Sequence, residues 1–150
     1  MPPRIRSRIV KKQAIWSDYL SNGQAVREAF GESIPELRGL KLVQLVLDPA
    51  GDIALTLDLG SLPDAVPSRW KDRGFDTLQL RMRFATSALT IRQNDAVGPG
   101  RVSVELEDNR LHMITEDGAF EVTASFIDAR IDFHPYRAIK HEFPPTWYRL

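Results

Sequence analysis

The 150-residue chain contains no cysteine. That removes disulfides, thiolate nucleophiles, Cys-ligated zinc and iron–sulfur clusters together. Histidine is nearly as scarce, with His112, His134 and His141 only. No apolar run approaches the roughly 20 residues of a membrane-spanning helix. The basic start is not followed by an apolar stretch of signal-peptide length, so a cytoplasmic protein without membrane contact is expected. Neither a Gly-x-Gly-x-x-Gly phosphate loop nor a Gly-x-Ser-x-Gly elbow occurs, and the serines have no context that would supply an activating base.

Two constellations remain to be weighed for chemistry. Asp132, His134, His141 and Glu142 are close enough in sequence to suggest a metal site. Their spacing matches no ligand pattern of the His-Glu-x-x-His kind, and scattered surface residues are the better reading. Glu105 and Glu107 form a carboxylate pair, but both should point to the polar side of one strand instead of facing each other across a cleft. The expectation is a non-enzyme with no catalytic residues, no metal and no cofactor.

What the chain does have is ordinary globular composition, 43% hydrophobic and 27% charged, at a length suited to one domain. The formal net charge of zero hides separated fields. The first twelve residues carry Arg4, Arg6, Arg8, Lys11 and Lys12 and no acid, which leaves 15 basic and 20 acidic side chains, a net of −5, in the other 138. Residues 1–12 read as a basic flexible tail and residues 13–150 as a single domain. Within that domain, residues 69–92 hold six basic and two acidic side chains (+4), and residues 101–132 hold three basic and eight acidic ones (−5). Such fields steer charged partners, although neighbouring strands that pair their outward charges would cancel them.

Periodicity predicts an α+β fold. Trp16, Leu20, Val26 and Phe30 make a helical stripe over residues 13–30, read as two short helices or one kinked one. Asn22 is placed to cap the second helix, and Gly31 to end it. From Leu40 onward the chain alternates as strands do. Leu42–Leu47 is nearly continuous in apolar residues, as if covered on both faces. Ile53, Leu55, Leu57 and Leu59 share a face, as do Leu78, Leu80, Met82 and Phe84. Leu89–Gln93, Val102–Leu106, Arg110–Thr115, Phe120–Ala124 and the Ile127, Ala129, Ile131, Phe133 set follow, separated by turns such as Asp108-Asn109 and Asp117-Gly118. The expected architecture is two short N-terminal helices packed on one twisted, mostly antiparallel meander of about seven or eight strands. A closed barrel is the rival, and no second domain or repeat is visible.

Trp70, after Pro67 and beside Arg69, is either an exposed partner anchor or, more plainly, a plug folded back onto an end of the core. Nucleic-acid binding finds the basic tail, Arg81, Arg83 and Arg92, with Trp70 and Phe75 for stacking. A pI near 6.8 and the lack of a basic recognition helix argue against it.

The order of features resembles the immunity protein 50 family of bacterial polymorphic toxin systems. The residues that carry the likeness are Trp16-Ser17-Asp18-Tyr19-Leu20, then Phe30-Gly31 and Ile34-Pro35-Glu36-Leu37. They continue with Gly51–Leu59, Pro67-Ser68-Arg69-Trp70 and Gly74-Phe75-Asp76-Thr77-Leu78-Gln79-Leu80. The likeness spans about residues 14 to 133 and contains no catalytic motif. It implies a small, largely β, cytoplasmic protein that binds and neutralises a cognate toxin domain without catalysis. If that toxin is a nuclease with a basic cleft, an acidic face would occlude it. Glu105, Glu107, Glu116, Asp117 and Glu121 are the expected partner-binding residues. The alternative is a small-ligand carrier whose cavity is lined by Met82, Phe84, Met113 and Phe120.

Overall fold

A computed structural model describes residues 15–63, 66–94 and 100–138. The basic tail, Gly98-Pro99, His141, Glu142 and the Pro144–Leu150 end lie outside the described residues. Six antiparallel strands form a closed barrel in the order β1-β2-β3-β6-β5-β4. They are β1 (Leu40–Leu47), β2 (Asp52–Asp58), β3 (Thr77–Gln93), β4 (Arg101–Glu107), β5 (Arg110–Thr115) and β6 (Phe120–Tyr136). The helices are short: α1 is Gln24–Phe30 and α2 is Ser68–Asp72, with a single 3-10 turn at Trp16–Tyr19.

The expected open sheet of seven or eight strands under two N-terminal helices is therefore corrected to a closed barrel of six. Strand number falls because two pairs of expected strands are each one long strand. Thr77–Ala85 and Leu89–Gln93 are both part of the 17-residue β3, and Phe120–Ala124 and Ile127–Phe133 both belong to the 17-residue β6. Register between them slips where Ala85 faces Asp128, Thr86 faces Phe126 and Ala88 faces Ser125, leaving Ser87 and Ile127 as extra residues. An extra residue bends a strand and increases its twist. It also reverses the phase of the alternation, so in the sequence it looks like a loop. Ile127, expected with the inward set, is 77% exposed, while Val122, Ala124 and Phe126 before it and Ala129 and Ile131 after it are buried.

These bends turn β3 and β6 through a corner, so that each strand serves two walls. The first half of β3 and the last half of β6 stand with β1 and β2. Their other halves stand with β5 and β4. Closure is a short seam in which Leu40 and Lys41 pair with Val102 and Arg101. The segment before β1 extends it, since Val104 N donates to Leu37 O at 2.7 Å. Closing the sheet in this way removes edges that would otherwise offer free backbone groups to other chains.

Inside, Ile53, Leu55, Leu57, Leu78, Leu80, Met82, Phe84, Leu111 and Met113 are 0–1% exposed. Phe84 meets Phe126 edge-on at 5.2 Å, at the corner itself. A core of this kind contributes on the order of 1.5–3 kcal/mol for each large apolar side chain removed from water. The β1 run is not covered on both faces: Val43 and Val46 are each 44% exposed. A bulge between Leu42 and Gln44 accounts for the extra apolar residue.

The N-terminal helices are shorter than expected because tertiary bonds interrupt them. Ser21 N donates to Ala129 O at 2.7 Å. Asn22 does not cap α1, whose N-cap is Gly23. Its side chain instead donates to Ile131 O at 2.8 Å and accepts from Ile131 N at 3.0 Å, standing in for a neighbouring strand along β6. Gly23 permits the turn: a Cβ there would lie 2.1 Å from Ser17 O. Gly31 ends α1 with φ +61° as a left-handed stop. Trp70, on α2, is half-buried against the core with its ring 6.4 Å from Phe133. Among the described residues no helix is long and apolar enough to cross a membrane.

Candidate interaction surfaces

Each wall has an outer face whose residues are set by alternation with the core. On β4 the buried residues are Val102, Val104 and Leu106, so Ser103, Glu105 and Glu107 point outward. On β5 Leu111 and Met113 are buried, which turns His112 and Ile114 out. Register places Glu105 opposite His112, His112 opposite Thr123, and Glu121 opposite both Ile114 and Arg92. The result is a mixed-charge face on β4-β5-β6, with Glu105, Glu107 and Glu121 beside Arg92, Arg101 and Arg110 and with His112 at its centre.

Glu121 is the most constrained acid on this face. His112 Nε2 lies 2.5 Å from Glu121 Oε2, and Arg92 ion-pairs with Oε1. Arg92, and after it His112, hold the Glu121 carboxyl below the usual range. Glu105 and Glu107 are exposed and border a shallow depression of about 350 Å³ with Arg110 and His112. Glu105, Glu107 and Glu121 thus share one surface.

The other two expected residues lie elsewhere and do different work. Glu116 sits on the β5–β6 turn beside the barrel seam, where its N–H donates to Arg101 O at 3.0 Å. Asp117 closes that turn: its Oδ1 accepts from Ala119 N at 2.9 Å and from the Thr115 hydroxyl at 2.7 Å. Those hydrogen bonds, the backbone one first, lower its carboxyl from the usual value.

The opposite wall bears a basic face. Arg81 and Arg83 alternate with buried Leu80, Met82 and Phe84 on β3, and Arg130 lies between buried Ala129 and Ile131 on β6. The rows across this wall read Gln44, Thr56, Arg81, Asp132 and Val46, Ala54, Arg83, Arg130. Arg83 and Arg130 are therefore direct cross-strand neighbours of like charge. They border a cleft of about 800 Å³ that also includes Arg81, Gln44 and Thr56. Across β3 and β6 the two charged segments meet at Arg81 opposite Asp132 and at Arg92 opposite Glu121, of which Arg92–Glu121 forms a close ion pair.

Near the barrel end opposite the β1–β2 turn, Asp58 is buried and accepts from Gly60 N at 2.7 Å and from the Tyr136 hydroxyl. Burial first, then the bond to Asp58, pushes the Tyr136 phenol up to about 12. Of the residues weighed for a metal site, His134 is exposed and stacks on Tyr136 at 5.9 Å. No group of three or more metal-ligating side chains gathers among the described residues. The expected cavity residues Met82, Phe84 and Met113 are buried in the core, and Phe120 is partly buried at its margin.

Sequence reasoning missed both contacts that distinguish the faces. His112 and Glu121 are nine residues apart, and Arg83 and Arg130 are 47 apart. Alternation shows that each points outward, but only the register brings them together.

The chain is, in class, a closed antiparallel β-barrel of six strands. Compared with known proteins, it matches no family model, and no curated protein or solved structure shows significant similarity to it.

Proposed function

We propose that the chain is a non-catalytic immunity-type protein that binds and neutralises a cognate toxin domain in the cytoplasm. The observation that carries this reading is the convergence of the residues on which the family resemblance rests. Trp16 Nε1 donates to Pro35 O at 2.7 Å. Phe30 meets Phe133 edge-on at 6.0 Å, and Trp70 approaches the same ring at 6.4 Å. Leu37, 2% exposed, lies next to them in the chain and bonds β4 through its carbonyl. Residues spread from position 16 to position 70 thus act as one packing unit, which supports reading the resemblance as a likeness of fold.

The toxin-facing surface in this proposal is the outer face of β4-β5-β6. Glu105 and Glu107 are its exposed carboxylates, Glu107 opposite Arg110, whereas Glu121 is held by Arg92 and His112. Exposed carboxylates pair with a basic active-site cleft by charge complementarity and need no pocket of their own. The test is to search beside this chain's gene for an encoded toxin domain and to co-express the two, reading growth and co-purification. Binding and rescue of growth are expected. A toxin that remains lethal and unbound in the presence of folded protein overturns the function. Glu105→Lys with Glu107→Lys is expected to weaken binding. Unchanged affinity of that folded double variant removes this face from the proposal.

A further inference from the structure

The basic wall violates a local rule of sheet stability. Arg83 and Arg130 stand directly opposite each other on β3 and β6, and like charges in that position destabilise a sheet. Arg81 is two residues along β3 and lies on the same face. Among the described residues none of the three forms an ion pair; Asp132 lies opposite Arg81 and the exposed Asp128 two residues from Arg130 on the same face, which leaves these five side chains at a net +1. Among the described residues their one side-chain hydrogen bond is a long one, from Arg130 Nη1 to Ser21 Oγ at 3.4 Å. Uncompensated breaches of this kind concentrate at sites that act on something else.

We propose that this wall is a second docking surface, for an extended acidic polypeptide segment lying along β3. It stands independently of the toxin reading, because it uses the opposite side of the barrel. Arg81 and Arg83, at i and i+2 of one strand, are about 7 Å apart along it, and Arg130 lies one strand away at about 5 Å. Alternate side chains of an extended peptide repeat at the same interval of about 7 Å. Carboxylates at positions i and i+2 of such a segment therefore fall in register with the β3 arginines. Each guanidinium presents a planar fork suited to bidentate carboxylate pairing. Gln44, exposed in the same row as Arg81, adds a polar group able to bond peptide backbone. The cleft, of about 800 Å³, is larger than one small bound anion needs.

A nucleic acid is the less suitable occupant. The cleft holds Val43, Ala54, Leu55, Met82 and Ile131 as its apolar residues and no aromatic ring on which a base could stack.

The experiment measures fluorescence anisotropy of a labelled decaglutamate peptide titrated with the full chain at low ionic strength. The same titration is run with a short DNA duplex. The Arg83→Gln/Arg130→Gln double variant is compared with wild type and with Lys11→Gln/Lys12→Gln, which alters only the tail. Peptide binding that falls about tenfold or more in the arginine variant, and changes little in the tail variant, is the expected result. No peptide binding, equal binding by the arginine variant, or tighter arginine-dependent binding of the duplex would each overturn the proposal. Thermal melting provides an independent readout. Removing the like-charge contact should leave Arg83→Gln at least as stable as wild type, whereas a lower melting temperature assigns the arginines a structural role and sinks the idea.

Discussion

The two outer walls of the barrel treat charge in opposite ways. On β4-β5-β6, Glu121 sits between Arg92 and His112, so the most buried acid of that face is satisfied by cross-strand partners. On the other wall Arg83 faces Arg130 with no carboxylate joined to either among the described residues. Both walls are built from the same two strands, β3 and β6, on either side of the bulges at Ser87 and Ile127. One-residue slips in register therefore separate a self-neutralising surface from a frustrated one. Paired surface charges contribute little to stability. The lesson of the comparison concerns what each wall can attract, not how firmly it folds.

The corner that joins the walls is the place to break both at once. Phe84→Ala should cost about 3–5 kcal/mol, because it removes a fully buried ring and its edge contact with Phe126. Urea denaturation followed by circular dichroism reads this directly, and a loss under about 1 kcal/mol would show that the corner is not a packing centre. Asn22→Ala affects only the basic wall. It strips the Ile131 N–H and C=O of their partners, at a cost of about 1–3 kcal/mol. Faster amide exchange at Ile131, with β4 and β5 unchanged, is the expected signature.

Acid affects the other wall. Glu121 is held below its usual pKa of 4.5 in the folded chain, so the unfolded chain takes up the proton first as pH falls. Its contribution is fully present above about pH 4.5 and is lost as pH drops through the lower folded value. Glu121→Gln should flatten that part of the stability profile. An unchanged acid limb would mean that the Arg92 and His112 contacts do not persist in solution. The smallest effect is expected at the bulge itself. Ile127→Thr exchanges one exposed β-branched residue for another and should shift stability by less than about 0.5 kcal/mol. A core residue at this position would lose far more, so this variant distinguishes the bulged register from continuous alternation.

Much of the barrel is legible before any coordinates are known. Alternation places Ile53, Leu55, Leu57, Leu78, Leu80, Met82 and Phe84 inside, where they are. Asp108-Asn109 and Asp117-Gly118 turn as expected, with Asp108, Asn109 and Gly118 all at positive φ. Trp16 is buried as its helical stripe implies, even though its segment makes only one 3-10 turn. Outward positions of Glu105, Glu107, Arg81 and Arg83 follow from the same period of two. Asp117 looks like a free acid in sequence because a turn-closing carboxylate and a partner-binding one are the same residue type. Asn22 looks like a helix cap for a similar reason: its amide satisfies a distant strand, 109 residues away, as readily as a nearby helix end.

The sequence by itself determined which side chains face in and which face out, because that depends only on the local geometry of an extended chain. It determined the turns, because they depend on which residues tolerate positive φ. Only the tertiary structure decided that eight apparent strands are six and that the sheet closes. Bulges pass locally for loops, and their bending becomes visible only against a paired strand. It also decided which outward charges meet. Arg92 finds Glu121 and Arg83 finds Arg130 through the register of β3 against β6, a long-range property that no window of sequence contains.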